Sequence, residues 1–341
     1  MILVTGGAGF IGLNVVEQLA ARGDPVVVYD VSRPRIDVPA ELGDVTDLAA
    51  LERVFATHRP TAVIHLAAIT AGRERDAREP RRIAEVNLIG TINVLEAARR
   101  HGVGRFVYAS TGALYGAAGV GAPAPLDEER DRPLPESIYG ITKYAAERTC
   151  LRLGELWSMD VRIGRLAMGF GRWEHRTDAR DRLSVPTEIA RLARAGREAV
   201  FPPLGPTDYI YAPDLAAALI ALLDARAPSH RLYHLGTGAA WSLPEWCELL
   251  AARFPEFRWR EARDVECNVL PLSPATARAS PTGAWSMTSA GRRASTSPWL
   301  PKILSAGSRP TRISSRAYDR AVFPEEGARP SNPQFSRRKD P

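Results

Sequence analysis

The first twelve residues constrain this chain more than any other stretch. A short apolar run at 2–4 leads directly into T-G-G-A-G-F-I-G (5–12), and a helical pattern follows over 11–22. Glycines spaced this way between a strand and a helix have separate physical uses. Gly6 permits a tight turn, Gly9 lets a pyrophosphate approach the backbone, and Gly12 lets the helix pack closely on the sheet. The helix N-terminus then faces the phosphates. A glycine-rich turn without a ligand is the bland alternative. The next apolar run, P-V-V-V-Y-D (25–30), ends on Asp30, 18 positions after Gly12. A carboxylate there accepts hydrogen bonds from both ribose hydroxyls and repels a 2′-phosphate, which favours NAD over NADP. Arg33 and Arg35 soften that rejection.

The remaining pattern extends this unit into a sheet. Apolar runs at 62–66, 104–110 and 161–166 alternate with helical patterns near 47–57, 81–100 and 138–156. Leu88, Ile92 and Leu95 share one stripe of the long helix. Alternating strands and helices predict an α/β fold, a Rossmann-type doubly wound parallel sheet over 1–165. Continuous apolar strands fit a sheet covered on both faces. Beyond 166 the rhythm loosens, with helices at 187–195, 212–225 and 243–254 and strands at 208–211 and 231–235. The expected division is a dinucleotide-binding domain (1–165, with returning segments near 208–235) and a smaller C-terminal substrate lobe (166–207 and 236–274).

Composition narrows the function classes. The net charge of +6 invites a nucleic-acid partner, but residues 275–341 hold 12 Lys/Arg and 4 Asp/Glu. That leaves 33 of the 45 basic and 35 of the 39 acidic residues in the first 274, a slightly acidic body. A nucleic-acid footprint needs a basic face on the folded part, so none is expected. No apolar run approaches the roughly 20 residues of a membrane span. The N-terminus does not read as a secretion signal. Cys150, Cys247 and Cys267 lie far apart, which suggests reduced thiols in a cytoplasm. The histidines are scattered, and no metal site is expected.

One further stretch carries chemistry. In Y-G-I-T-K (139–143) a tyrosine and a lysine stand four residues apart, hence on one face of any helix. Spacing alone does not separate a proton-transferring pair from two amphipathic surface residues.

Taken together, T-G-G-A-G-F-I-G (5–12), G-D-V-T-D (43–47), H-L-A-A (65–68), V-N-L-I-G-T-I-N-V-L-E-A-A (86–98), Y-A-S-T-G-A-L-Y-G (108–116), S-I-Y-G-I-T-K-Y-A-A-E (137–147), D-Y-I-Y-A-P-D-L-A (208–216) and Y-H-L-G-T-G (233–238) resemble the extended short-chain dehydrogenase/reductase family. The resemblance is in particular to its NAD-dependent epimerase/dehydratase branch. The motifs run in family order over roughly residues 1–260. The resemblance implies an enzyme in which Tyr139 is the acid/base, Lys143 its partner, and Thr111 the hydroxyl that holds the reacting oxygen. Lys143 and the nicotinamide charge would stabilise the phenolate, and Lys143 would also bind the nicotinamide ribose. Asn87 matches the asparagine beside the site, Ala67 and Ala68 small residues lining the cofactor. Phe10, Ile11, Val45, Leu66 and Ser110 complete the expected cofactor wall, and Asp44 is placed to contact the adenine. A homodimer built on helices 81–100 and 138–156 is implied as well.

Departures from the family pattern shape the expected reaction. Gly112-Ala113 stands where the 4,6-dehydratases carry Asp-Glu, which argues against dehydration. Met168, Arg172 and Thr207 stand where nucleotide-sugar enzymes usually carry Asn, Pro and Arg. Thr207 supplies no bidentate fork for a diphosphate. Arg162, Arg172, Arg176 and Arg197 are the substitute candidates, with surface charge the bland reading of each. The expected substrate is carbohydrate-like, nucleotide-linked or a free sugar acid or other small hydroxy compound. An epimerase and a dehydrogenase use the same Thr-Tyr-Lys set, and a non-catalytic NAD-binding sensor is the reading from another class. Residues 275–341 lack the family's usual ending. Codon degeneracy permits a family-like run when the reading frame is shifted from about Ala294, so a frame-shifted C-terminus is expected there, with a disordered basic tail as the alternative.

Overall fold

The computed structural model describes residues 1–119, 126–180 and 182–271. The expectations for 275–341 lie outside the described residues.

In chain order the elements are β1 (Ile2–Thr5), α1 (Phe10–Ala21), β2 (Val26–Asp30), β3 (Ala40–Leu42), α2 (Leu48–His58), β4 (Ala62–His65), α3 (Arg73–Arg78), α4 (Pro80–Ala84), a π-turn (Glu85–Ile89), α5 (Gly90–Arg100) and β5 (Arg105–Thr111). A 3₁₀ segment (Gly112–Gly119), α6 (Ile138–Leu156), β6 (Asp160–Leu166), β7 (Met168–Phe170), α7 (Val185–Arg194), β8 (Ala199–Phe201), β9 (Tyr209–Tyr211), α8 (Ala212–Asp224), β10 (Leu232–Leu235), α9 (Leu243–Arg253) and β11 (Trp259–Glu261) follow. Seven strands form one sheet in the order β10-β6-β5-β4-β1-β2-β3. Every pair in it is parallel. The order reverses between β1 and β4, where open α/β sheets bind ligands beyond the strand ends.

Strand alternation explains the two faces. Leu3, Tyr29, Val63, Phe106 and Tyr108 point one way and pack against α2, α5 and α6. Val4, Val28, Ile64, Val107 and Ala109 point the other way, against α1 and α8. Both sides are buried, which is why these strands read as unbroken apolar runs. A third apolar cluster joins α7, α9, β8 and Phe257, with Trp241 and Trp246 at its centre. No helix among the described residues is long and apolar enough to cross a membrane.

Two local differences from the sequence reading have physical causes. The helix expected over 81–100 is interrupted by the π-turn, which holds Asn87. Strands β3, β7, β8 and β11 have three residues each, too short to leave a periodic signal.

Two histidines are buried and neutral in this fold. His65 lies between the hydroxyls of Thr5 (Nδ1, 2.6 Å) and Thr91 (Nε2, 2.9 Å). Thr91 donates its own proton to the Asn87 carbonyl, so Nε2 of His65 carries the hydrogen and Nδ1 accepts from Thr5. Burial pushes both His65 and His234 down to about 3. An unfolded histidine titrates near 6.5, so the unfolded chain binds more protons between those values and stability falls as pH drops through that window. Both imidazoles should therefore remain neutral at pH 5 by NMR, while urea midpoints decline from pH 6.5 downward.

Candidate active site

The glycine loop leaves β1 and enters α1 under close constraint. Gly6 has φ +71°, and a Cβ there would lie 2.5 Å from the Ala67 nitrogen. At Gly12 a Cβ would lie 2.0 Å from the Gly6 carbonyl oxygen. Gly9 differs, since a Cβ would approach only the Gly6 oxygen, at 3.2 Å. Gly9 also caps α1 without any side-chain bond, so the first-turn N–H groups stay open toward the space in front of them. That space is a cavity of about 1720 Å³.

The cavity gathers almost every residue expected from sequence. Gly6, Gly9, Phe10, Ile11 and Gly12 line it from the loop, and Leu66, Ala67 and Ala68 from the end of β4. Asp30 and its neighbours Arg33 and Arg35 border it, as do Asp44, Val45, Ser110, Thr111, Tyr139 and Lys143. Asp30 accepts hydrogen bonds from the amides of Ala8 (3.0 Å) and Ser32 (3.1 Å), which fixes its carboxylate beside the glycine loop. Asp44 accepts from the amide and hydroxyl of Thr46 and forms an ion pair with Arg82. Asp47 caps α2, its side chain accepting from the Ala50 amide at 2.9 Å.

One residue takes a different place from the one expected. Asn87 is not on the cavity wall. It is buried behind it, accepting from the Ile69 amide (2.8 Å) and donating to the Ile69 carbonyl (3.0 Å) and the Thr142 hydroxyl (3.2 Å). It fastens the loop after β4 to α6. Ser110 borders the cavity, but its hydroxyl donates to Glu147 (2.7 Å).

Among the substitute anion ligands, Arg162 is buried, paired with Asp160 and donating to the Leu222 carbonyl at the end of α8 (2.6 Å). Arg172 pairs with Glu17 and Arg197 is exposed, and neither borders the cavity. Only Arg176 does, with Met168 and Thr207.

Strand β5 ends on Thr111, and α6 begins two residues before Gly140. Ser137 caps α6 by accepting from the Gly140 amide (3.0 Å). Asp76, which sequence reading missed, accepts from the Ile138 amide (3.0 Å) and from the Tyr139 amide. Residues from two distant segments thus pin the first turn of α6. The Tyr139 phenol and the Thr111 hydroxyl face the same cavity, and Thr111 favours the ionised phenol. One turn on, Lys143 places Nζ 4.2 Å from the centre of the Tyr108 ring and has no hydrogen-bonding partner among the described residues. Burial pushes Lys143 down to about 7.

The electrostatics differ from the expected tuning. Burial pushes the Tyr139 phenol up, and Thr111 and the charge of Arg180 act against it. Arg180 is a further cation acting on Tyr139, one that sequence reading missed, and desolvation disfavours the charged form of Lys143. The residues nevertheless fit a dinucleotide. An open helix N-terminus suits a pyrophosphate, Asp30 a ribose diol, and the unpartnered Lys143 amine a second ribose.

A buried polar layer lies behind the site. Glu147 accepts from Arg165 Nε (3.0 Å) and Nη2 (2.7 Å), and Arg165 also donates to Tyr115, whose hydroxyl meets His234 Nε2 at 2.8 Å. A charged residue inside an otherwise apolar strand, R-I-G-R-L (162–166), was the available sequence signal.

Contrasting glycine substitutions check this geometry. Gly12→Ala should destabilise by about 3 kcal/mol, since backbone must move, and abolish dinucleotide binding. Gly9→Ala should leave the melting temperature nearly unchanged yet weaken NAD binding roughly 10-fold, because its methyl group enters the phosphate approach. Lys143 offers a pH test. A free lysine titrates near 10.4, so between about 7 and that value the unfolded chain binds more protons and stability rises with pH. Without NAD, the gain in urea stability from pH 7 to 9 should be larger in wild type than in Lys143→Met.

Comparison with known proteins agrees with this architecture. A UDP-glucose 4-epimerase of Rhizobium leguminosarum bv. trifolii is 33% identical over 269 residues, covering 72% of this chain and 79% of that protein. The structure of the Thermus thermophilus UDP-glucose 4-epimerase in complex with NAD matches with a TM-score of 0.67 at 30% identity, covering 91% of this chain and 94% of that one. An L-threonine dehydrogenase from Cupriavidus necator, in its holo form, matches with a TM-score of 0.67 at 25% identity, covering 83% of this chain and 94% of that one. The model of the NAD dependent epimerase/dehydratase family matches residues 2–236, and the chain belongs to that family of NAD-dependent enzymes.

Proposed function

We propose that the protein is an NAD-dependent sugar epimerase that works by hydride transfer at a secondary alcohol, with Tyr139 as acid/base. One observation carries this reading: Thr111, Tyr139 and Lys143 line the same cavity as the glycine loop. The epimerase relatives support it.

In this mechanism Thr111 and Tyr139 hold the substrate oxygen between their hydroxyls. Bound NAD supplies the hydride acceptor. Tyr139, as phenolate, takes the hydroxyl proton while the carbinol carbon is oxidised. Arg180 favours that phenolate electrostatically, and Lys143 holds a ribose diol. For epimerisation the ketone stays in the cavity and turns, so that the hydride would return to its other face while Tyr139 gives the proton back to the oxygen. Gly112 and Ala113 border the cavity beside Thr111 and supply no acid or base for dehydration.

A second reading, NAD-dependent dehydrogenation of a sugar acid or small hydroxy compound, is favoured by Thr207 on the cavity wall and by the salt bridges that hold Arg162 and Arg172 elsewhere. The likeness to an L-threonine dehydrogenase supports it too. We further infer a cytoplasmic homodimer packed through α5 and α6, supported by the exposed Ile89, Ile141 and Leu156. The division into a dinucleotide domain and a substrate lobe of 166–207 and 236–274 belongs to the same proposal.

Nucleotide sugars, free sugars and sugar acids incubated with NAD, and followed for NADH and for epimer, test the reading. Tyr139→Phe should lower turnover roughly 10²–10⁴-fold while NAD affinity is retained. Unchanged turnover in that variant rejects Tyr139 as the acid/base, and absence of any reaction in wild type favours a sensor.

A further inference from the structure

The segment after β7 crosses back over the cavity. The carbonyl of Ala179 accepts hydrogen bonds from both the amide (2.9 Å) and the hydroxyl (3.0 Å) of Thr70, in the loop after β4. This crossing places Arg180 on the cavity wall with Tyr139 and Thr111. Its guanidinium lies 5.0 Å from the centre of the Phe10 ring.

Arg180 is held from behind. Its Nη2 is paired with Glu174, a carboxylate with 0% side-chain exposure. Glu174 is itself fixed by the Ser184 amide (2.8 Å) and hydroxyl (2.6 Å) and by Thr187. The Nε of Arg180 is enclosed without a partner. Nη1 has no partner among the described residues, although the side chain keeps 16% of its surface exposed. A guanidinium braced by a buried carboxylate, with one donor corner left over, is preorganised for an anion. Arg180 shares the cavity wall with Thr111 and Tyr139, so an anion bound there lies on the reacting side of the cavity. The diphosphate of a nucleotide sugar hangs from the anomeric carbon, across the ring from a reacting C4, and does not match that placement. A carboxylate one or two carbons from the carbinol does.

We propose that Arg180 is a carboxylate subsite at the reacting end of the cavity, and that the substrate is a secondary alcohol bearing a carboxylate next to the carbinol or one carbon further on. This rests on the hydride-transfer reading above and specifies its substrate class. Arg176, on the same wall, is mostly exposed and held by Glu188 at 3.0 Å.

Calorimetric titration of the NAD-loaded protein tests the subsite apart from turnover. The probes are D-galacturonate, D-glucuronate, their methyl esters, and UDP-glucose. The free uronates should bind roughly 10- to 100-fold more tightly than their esters, the worth of one charge-assisted hydrogen bond. Arg180→Gln should erase that preference and Arg180→Lys keep part of it, and the buried Glu174 left unpaired should lower the melting temperature of Arg180→Gln more than that of Arg180→Lys. Equal binding of acid and ester by wild type overturns the proposal, whether or not the variants fold. So does a preference for the acid that survives in Arg180→Gln. If uronates bind through Arg180 but yield neither NADH nor epimer, the subsite stands and hydride transfer on them fails. If a neutral or nucleotide-linked sugar reacts while the uronates bind no better than their esters, the enzymatic reading stands and the subsite fails.

Discussion

The bidentate pair between Glu147 and Arg165 is the interaction on which the site most depends. Both side chains are almost wholly enclosed, at 0% and 4% exposure. Glu147 stands one turn beyond Lys143 on α6, and Arg165 lies in β6 opposite Ser110. Glu147 also accepts from Ser110, the residue before Thr111. One carboxylate therefore ties the Tyr139–Lys143 helix to the strand end that presents Thr111. A buried pair of this kind is weak evidence for net stability, yet removing one partner costs about 3–5 kcal/mol because the other charge is left unpaired. Its contribution is geometric: the two hydroxyls that face the cavity come from elements locked at their backs.

A similar arrangement recurs around the cavity rim. Asp76 and Ser137 hold the first turn of α6, Asn87 holds Ile69, and Glu174 holds Arg180. None of these supporting groups needs to touch a substrate. Each fixes a backbone or side chain that does face the cavity. Asp76 and Asn87 do so across segments far apart in the chain. The π-turn that carries Asn87 fits this pattern, since such turns recur at functional sites.

Much of this was legible before the structure. Sheet strands longer than three residues and the long helices followed from apolar periodicity, because burial on both faces leaves a local trace. The glycine loop was legible because its steric demands are local: Gly12 is required by the oxygen of Gly6, six residues away. Asp30, Thr111, Tyr139 and Lys143 were found by spacing and motif, and all border one cavity. Of the three-residue strands only β9 was read, within 208–211; β3, β7, β8 and β11 were not legible, since three residues carry no period. Asn87 was found but given the wrong surface, because spacing on a helix does not reveal which neighbour a side chain meets. Arg162 was a candidate anion ligand in sequence and a buried cap on α8 in the fold, since charge alone carries no address.

By itself, then, the sequence determined the family, the sheet and the cofactor loop, and its family motifs named Thr111, Tyr139 and Lys143 as candidates for the chemistry. The sheet and the loop rest on local sterics and on alternation of burial, which a linear string records, and the three candidates rest on the family resemblance. Only the tertiary structure decided how charges surround Tyr139. At Lys143, four residues away in sequence, desolvation disfavours the charged form. Arg180, forty-one residues away, was carried over the cavity by the bond from Thr70 to its neighbour Ala179 and braced by Glu174. Electrostatic influence depends on distance and dielectric in space, and neither can be read along the chain.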